Sequence, residues 1–312
     1  MNIEEVTSSE YDEIFRNNYH VFNSPDFSEL NKNKVNRLYY LLFKDSKFRS
    51  GLILGEKNNN LISPFSAPFG GFTFLNNNIK LSILDDTLRT LLEWGKKKRF
   101  KSVRITLPPT IYNEDVISKQ VNCLFRANFR ITQIDLNYSF NTSLFNKDYS
   151  SVLWRNAKKN LKIASSNDFN VVYSQDSKNL EVAYNIIAFN RRERGFPLRM
   201  TMNQILETSK VICIDTFLCK YEGSYIAAAI VFKVTEKVVQ VVYWGDNPEY
   251  SSLKTMNYLS FKVFEHYSNE NIQIVDIGPS TENSIPNYGL CDFKEGIGSN
   301  ISQKLTFIKE YI

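Results

Sequence analysis

The sequence predicts an α+β protein in which one mixed sheet is built twice along the chain. Strand-like stretches at residues 37–44, 48–56 and 61–65 precede a turn-rich loop at 66–72, an amphipathic helix at 79–97 and a strand at 102–107. The same order returns with strands at 211–221, 225–234 and 238–244, a loop at 245–250, a helix at 252–267 and a strand at 272–277. Because matching elements are offset by roughly half of the chain, the pattern indicates a tandem duplication.

The remaining elements follow from periodicity and from turn residues. Further helices are predicted at residues 10–20, 114–127, 151–164, 179–194 and 201–210, and further strands at 131–140, 170–173 and 301–307. Residues 23–33 are polar, contain a proline and are predicted to form a loop. The polar stretch 141–149 separates the two halves, so the predicted domains are 1–149 and 150–312.

Composition excludes several classes of protein. With 312 residues, of which 43% are hydrophobic, each half has enough apolar residues for a core. The net charge of +5 is too mild to indicate a DNA-binding protein. Four scattered cysteines and two histidines give no metal-ligand spacing, so neither a metal nor a tightly bound cofactor is expected. The sequence shows no secretory signal and no apolar run of membrane-spanning length, which predicts a cytoplasmic location.

The loop of the first half is a candidate substrate-binding segment. Its candidate residues are Ser66, Pro68, Phe69, Gly70 and Gly71. Prolines fix the backbone, and adjacent glycines expose amides that could face an anion or a peptide-like substrate. A tight connection without a ligand is the alternative interpretation.

The corresponding place in the second half is a candidate phosphate site on the donor side. Its candidate residues are Trp244, Gly245, Ser251, Ser252 and Lys254, at the predicted start of a helix. Free amides and hydroxyls at a helix N-terminus bind phosphate. Asp246 and Glu249 argue against a deep anion pocket, and a helix capped by Ser251 or Ser252 is the alternative.

Acidic and aromatic residues follow the predicted strand 272–277. Asp276 lies near the end of this strand, two residues before Gly278, where a carboxylate could orient an amine or accept its proton. A simple turn former before Gly278-Pro279 is the alternative. Glu282 and Tyr288 lie in the next segment and could join the same site. Arg194 ends a basic run on the helix 179–194 and is a further candidate for substrate binding.

Three segments resemble the Fem-type branch of the GNAT acyltransferase superfamily. They are the basic stretch Trp154-Arg155-Asn156-Ala157-Lys158-Lys159, the triplet Asp276-Ile277-Gly278, and the ending Asn287-Tyr288-Gly289-Leu290 followed by Phe293-Lys294-Glu295-Gly296-Ile297-Gly298. The resemblance is clearest over residues 154–298 and also touches the Pro-Phe-Gly-Gly segment at 68–71. The usual GNAT pyrophosphate loop, Gln/Arg-x-x-Gly-x-Gly/Ala, is not visible at 244–252.

This resemblance implies two tandem GNAT-like domains and an acyl-transfer activity. It implies acyl-CoA or aminoacyl-tRNA as co-substrate, and an amine on a small-molecule or lipid-linked substrate as acceptor. It gives Lys294 a catalytic role, in which its ammonium group stabilises the developing oxyanion. Contact with tRNA or with a membrane surface is compatible with the basic helix 151–164.

Two functional hypotheses from different classes follow. The first is an N-acyltransferase that modifies an amine of a cell-envelope precursor or sugar, with Lys294, Asp276 and Tyr288 as catalytic residues. The second is a non-catalytic binding module on a duplicated GNAT-like scaffold. The missing pyrophosphate pattern favours the second, and a donor that binds and is then consumed by an amine would favour the first.

Overall fold

The chain forms two compact units whose limits do not follow the order of the sequence. In the computed structural model, residues 1–311 are described, except for the side chains of residues 146 and 147. One unit comprises Met1–Leu136 and Ser302–Ile312, and the other comprises Asn137–Ile301. Residue 312, which ends the predicted second domain, lies outside the described residues. The domain boundary between residues 149 and 150 stays a prediction.

The first unit combines a mixed sheet with four α-helices. Its strands are β1 (Asn2–Val6), β2 (Arg37–Lys44), β3 (Phe48–Lys57), β4 (Asn60–Ser63), β5 (Phe72–Phe74), β6 (Ser102–Thr106), the beginning of β7 (Arg130–Asn141) and the end of β15 (Asn300–Glu310). Its helices are α1 (Ser8–Phe15), α2 (Pro25–Leu30), α3 (Leu81–Lys97) and α4 (Glu114–Arg126). The strand order is β1-β2-β3-β4-β6-β15-β7, and β5 pairs with β3.

Alternation along β2 explains why this sheet is covered on both faces. Leu41 and Phe43 belong to the main core with α3 and α4, whereas Tyr40 and Leu42 point to a second cluster that contains Tyr11 of α1. Successive side chains of a strand point to opposite faces, so a fully apolar strand needs a partner on each face. In α3, Leu84, Leu88 and Leu91 are buried at helical spacing against the same core.

The second unit carries the candidate site. Its strands are the end of β7, β8 (Asn170–Ser174), β9 (Ile214–Tyr221), β10 (Ser224–Lys233), β11 (Val238–Asp246) and β12 (Ile274–Pro279), with a separate hairpin of β13 (Thr281–Glu282) and β14 (Ile285–Pro286). Its helices are α5 (Phe145–Val152), α6 (Arg155–Ser165), α7 (Ser177–Glu193), α8 (Met202–Thr208), α9 (Thr255–Ser268) and α10 (Tyr288–Gly296). The strand order is β7-β12-β11-β10-β9-β8.

Helices cover both faces of the sheet in the second unit. Both α7 and α9 pack against the three strands β9, β10 and β11. Every residue of β10 from Ile226 to Phe232 is buried, so side chains on both of its faces are covered. The helices α7 and α9 therefore lie on opposite faces.

The duplicated order predicted from sequence is present in both units. Three antiparallel strands are followed by a helix and by a strand parallel to the third: β4 pairs in parallel with β6, and β11 pairs in parallel with β12. A parallel pair needs a crossover, which α3 and α9 supply. The predicted α+β class is therefore confirmed.

Several local predictions were wrong. The N-terminus, for which no strand was predicted, forms the edge strand β1, and residues predicted as a loop form the short helix α2, which Ser24 caps and Pro25 starts. The helix predicted to begin at residue 252 begins at Thr255 instead. Residues 288–296, for which no helix was predicted, form α10, and the Asn287 side chain caps it by accepting a hydrogen bond from the Leu290 amide at 3.1 Å.

Within residues 1–311, no helix combines the length and the apolar character that crossing a bilayer requires.

Leu91→Ala is expected to lower the free energy of unfolding of the first unit by about 2–5 kcal/mol, because a fully buried leucine leaves a cavity in the core. The control is Leu81→Ala on the same helix, where the leucine is 45% exposed and the expected loss is below about 1 kcal/mol. Urea denaturation of both variants checks this. Equal losses would show that α3 does not pack as described.

Candidate active site

The candidate site lies where β11 and β12 separate. Paired residues run from Val238 and Ile274 to Gln240 and Asp276. Beyond this point, no further paired residues join the two strands in the described chain, although β11 continues to Asp246 and β12 to Pro279. Such a separation leaves backbone groups on the facing edges free to bind a ligand.

Asp276 sits at the point of separation and is fully buried. Its Oδ1 accepts hydrogen bonds from Asn137 Nδ2 at 2.8 Å and from the Gly278 amide at 2.9 Å, and its Oδ2 accepts one from Gln240 Nε2 at 2.7 Å. These bonds tie β12 to both neighbouring strands. Asp276 thus positions the site.

A bulge shapes the end of β12. The register with β7 shifts between Asp276 and Gly278, and Gly278 has a φ of +72°. This left-handed conformation is easy for glycine and strained for most other residues. The bulge brings three successive carbonyls, those of Ile277, Gly278 and Pro279, to one ammonium group.

That ammonium group belongs to Lys294 of α10, whose side chain is buried. Its Nζ donates to the carbonyl oxygens of Ile277 at 2.7 Å, Gly278 at 2.8 Å and Pro279 at 3.1 Å. These bonds use all three donors of the ammonium. Burial lowers the pKa of Lys294 to about 7; the negative charge of Asp276 partly opposes this shift, and the positive charge of Arg191 adds to it. A lysine that titrates near neutral pH is typical of functional sites.

Trp244 and Gly245 lie on the part of β11 that continues beyond the separation. The Trp244 ring packs edge-on against Phe293, the residue before Lys294, with centroids 6.0 Å apart. A Cβ at position 245 would come within 2.9 Å of the Asn190 side chain, so only glycine fits. Asn190 donates to the Asp246 carbonyl at 2.6 Å and thereby fixes α7 against β11.

Ser251, Ser252 and Lys254 lie between β11 and α9. Both serines are exposed in a 3₁₀ turn that spans Pro248–Leu253. Lys254 has a φ of +58° and precedes the first residue of α9 without a capping side-chain bond. The prediction that Ser251 or Ser252 caps this helix was therefore wrong. No side chain caps the start of α9, where the Asn257 amide donates to the Lys254 carbonyl at 3.0 Å.

Arg194, Glu282 and Tyr288 lie at the periphery of this arrangement. Arg194 is half exposed and lies 3.4 Å from the Oδ1 of Asp246, whose pKa is raised by burial and lowered in part by Arg194. Glu282 pairs with Arg199 on the surface. Tyr288 is 76% exposed at the start of α10.

Arg191, near the end of α7, was not singled out from sequence. Its Nε is buried and has no hydrogen-bond partner among the described residues. Burial lowers its pKa, which the nearby Tyr243 partly opposes. Helical spacing could have distinguished it, because Arg191 follows the buried residue Ile187 by one turn whereas Arg192 and Glu193 face outward.

The candidate residues of the first unit are held by other residues of the same unit. Ser66 Oγ bonds Asn31 Oδ1 at 2.8 Å. The Gly70 amide donates to the Thr106 carbonyl at 2.9 Å, and the Gly71 amide donates to Ser63 Oγ at 3.0 Å. Both glycine amides are thus already paired. The remaining two residues, Pro68 and Phe69, complete this loop, and Phe69 is fully buried against the ring of Tyr112, with centroids 4.6 Å apart.

The structure thus groups Asp276, Lys294, Trp244 and Gly245 around the separated strands, with the start of α9 following β11 directly. The loop residues 66–71 belong to the other unit. Among residues 1–311, no group of three or more His, Cys, Asp or Glu side chains is arranged to hold a metal ion.

Comparisons with known proteins identify the fold. No family model and no curated protein matches the chain. Among solved structures, FemX matches with a TM-score of 0.71 and 13% identity, over 100% of this chain and 97% of that one. The C-terminal domain of a putative lysylphosphatidylglycerol synthetase from Agrobacterium fabrum matches with a TM-score of 0.59 and 8% identity, over 97% and 92% of the two chains.

A tandem GNAT protein from the clavulanic acid biosynthesis pathway is also similar. It has a TM-score of 0.53 and 9% identity, over 100% of this chain and 98% of that chain. At these identities the likeness concerns the fold and not the activity. The chain therefore has a fold similar to that of FemX and of this tandem GNAT protein, as the sequence resemblance implied.

Proposed function

We propose that this chain is an N-acyltransferase that transfers an acyl or aminoacyl group to an amine of a cell-envelope precursor or sugar. The observation that carries the proposal is the buried ammonium of Lys294 at the place where β11 and β12 separate. A buried cation next to free strand edges suits a reaction in which a carbonyl oxygen becomes negative.

The reaction needs no covalent enzyme intermediate. The neutral nitrogen of the acceptor attacks the carbonyl carbon of the donor, and a C–N bond forms. The carbonyl oxygen becomes an oxyanion, which the positive charge of Lys294 and a backbone amide on the free edge of β11 stabilise. The oxyanion then collapses, the C–S bond of an acyl-CoA or the C–O bond of an aminoacyl-tRNA breaks, and the proton of the amine leaves with the released thiol or hydroxyl.

The donor is proposed to bind on the α9 side of the sheet. Trp244 and the backbone of Gly245 would face its carbonyl end, and the uncapped start of α9 beside Lys254 would accept its phosphates. Ser251 and Ser252 are exposed near that point and could add hydroxyl donors. The loop at 66–71 of the first unit, together with Arg194 and Glu282, stays a proposed substrate-binding set.

One observation favours a binding module without catalysis. All three donors of Lys294 are occupied by carbonyls, so the lysine could serve only to hold the bulge of β12. Catalysis requires that the substrate replace at least one of these contacts. An activity assay with Lys294 variants separates the two hypotheses.

Lys294→Met is expected to lower kcat/KM for acyl transfer by about 10²–10³-fold, because it removes one stabilising group of the oxyanion. Thermal-shift screening with acetyl-CoA, longer acyl-CoAs and aminoacyl-tRNA identifies the donor first, and release of its carrier on addition of an amine is then measured. Lys262→Met, which removes an ammonium group bonded to Glu265 on α9, is the control and should keep full activity.

A Lys294→Met protein that binds the donor and remains fully active would contradict the catalytic role. A chain that binds donors but never releases the carrier in the presence of amines would support the binding module.

Asp276→Asn is expected to move the pH dependence of kcat/KM to lower pH. The proposed mechanism uses the ammonium form of Lys294, so activity should fall as pH rises through about 7. The negative charge of Asp276 raises the pKa of Lys294, and its removal therefore moves this fall to more acidic pH. The same acceptor is used for the unchanged protein and the variant, so that titration of its amine contributes equally to both pH profiles.

Asp215→Asn is the matched control for this experiment. Asp215 is also buried and also accepts three hydrogen bonds, from Tyr173, Gln175 and Tyr267. Its replacement should destabilise the unit without moving the pH profile. A profile that both variants shift equally, or that neither shifts, would show that Asp276 does not act through Lys294.

A further inference from the structure

Arg191 is a cation to which the described chain supplies no carboxylate. The two other arginines at the end of α7 have one each: Arg192 lies 3.5 Å from Glu193, and Arg194 lies 3.4 Å from Asp246. Within residues 1–311, Arg191 has no ion pair and no side-chain hydrogen bond, and its Nε is sealed from solvent. Arg191 as a whole is partly buried, and a guanidinium nitrogen that is removed from water is normally paired.

Helix stability does not account for this arginine. A cation in the last turn of a helix is favourable next to the helix dipole, but the exposed Arg192 already supplies it. An exposed position would serve the dipole without the cost of removing a guanidinium group from water. The partly buried position of Arg191 is explained if a ligand pairs with its guanidinium group.

The location of Arg191 connects it to the candidate site. The positive charge of Arg191 lowers the pKa of Lys294, and Tyr243, the residue before Trp244 on β11, raises the pKa of Arg191. The preceding residue, Asn190, bonds the Asp246 carbonyl at 2.6 Å and so holds this turn of α7 against the free part of β11. Arg191 therefore lies on the α7 face of the sheet, opposite the α9 face to which the donor phosphates are assigned.

We infer that the guanidinium group of Arg191 binds a carboxylate or a phosphate of the acceptor, so that the acceptor is an amine that also carries an acidic group. The statement that the bound molecule is the acceptor rests on the proposed function. The statement that Arg191 binds a carboxylate or a phosphate does not. A planar guanidinium binds either oxyanion through two parallel hydrogen bonds. A carboxylate or phosphate bound there also partly neutralises the positive charges of Arg191 and Lys294.

The first experiment measures oxyanion binding without any turnover. Sodium phosphate and sodium acetate are titrated by calorimetry against the unchanged protein and against Arg191→Gln, Arg191→Lys and Arg192→Gln. Arg191→Gln should weaken binding at least tenfold. Arg191→Lys should weaken it less, because lysine keeps the positive charge but cannot donate two parallel hydrogen bonds from a planar group. Arg192→Gln removes the same charge from an exposed neighbour and should change binding less than twofold. If phosphate binds and acetate does not, the acidic group of the acceptor is a phosphate. If both ions bind, Arg191 accepts either a carboxylate or a phosphate.

Equal weakening by Arg191→Gln and Arg192→Gln would overturn the inference, since general surface charge would then explain binding. Binding that Arg191→Gln leaves unchanged would overturn it as well.

Thermal melting tests a purely structural role. Arg191→Gln removes an uncompensated charge, so its melting temperature without ligand should equal or exceed that of the unchanged protein. A clear decrease combined with unchanged oxyanion binding would mean that Arg191 only supports the fold.

Once a donor is known, acceptors with and without an acidic group separate this inference from the proposed function. Arg191→Gln should raise KM for glycine at least tenfold and leave KM for methylamine within twofold. If no donor is ever consumed, the proposed function fails while the titration result still stands. If transfer occurs and Arg191→Gln alters both KM values equally, the acceptor assignment fails alone.

Discussion

The second unit is organised around one ammonium group and three consecutive backbone carbonyls. A regular strand points successive carbonyls in opposite directions, so Lys294 can reach all three only because the bulge of β12 breaks the alternation. The bulge in turn requires the left-handed conformation of Gly278 and the hydrogen bond from its amide to Asp276. Each partner is therefore needed by the next. A buried lysine without these carbonyls would lose its proton, and a bulge without the lysine would leave three carbonyls unsatisfied.

The sheet of this unit separates two kinds of chemistry. The uncapped start of α9 suits phosphate recognition on one face, and the end of α7 presents Arg191 on the other. Between them, β11 and β12 separate beyond Gln240 and Asp276. The proposed donor and acceptor would therefore approach from different sides of the same opening. Such an arrangement lets the two substrates bind without sharing contacts.

Sequence patterns predicted most of the sheet but not the features that depend on burial of polar groups. Apolar strands such as Arg37–Lys44 and Ser224–Lys233 are visible because their composition is nearly continuous. The edge strand β1 was missed, because its alternation carries little apolar signal. Lysine is usually exposed, so nothing in composition shows that Lys294 is buried; the family resemblance singled it out. Charge does not distinguish Arg191 from its neighbours, and only its helical spacing from the buried Ile187 indicates that it faces the protein.

The last strand, β15, pairs with a strand of the first unit but is synthesised after the second unit. Residues 306–310 of β15 pair with residues 102–106 of β6, so the sheet of the first unit contains a strand synthesised after the whole of the second unit. During translation, the edge of β6 has no β15 partner until the ribosome has made residues 306–310. An unpaired edge of this kind invites association with other nascent chains, and contacts so distant in sequence slow folding. Expression yield should therefore depend on how quickly the C-terminal segment reaches the first unit.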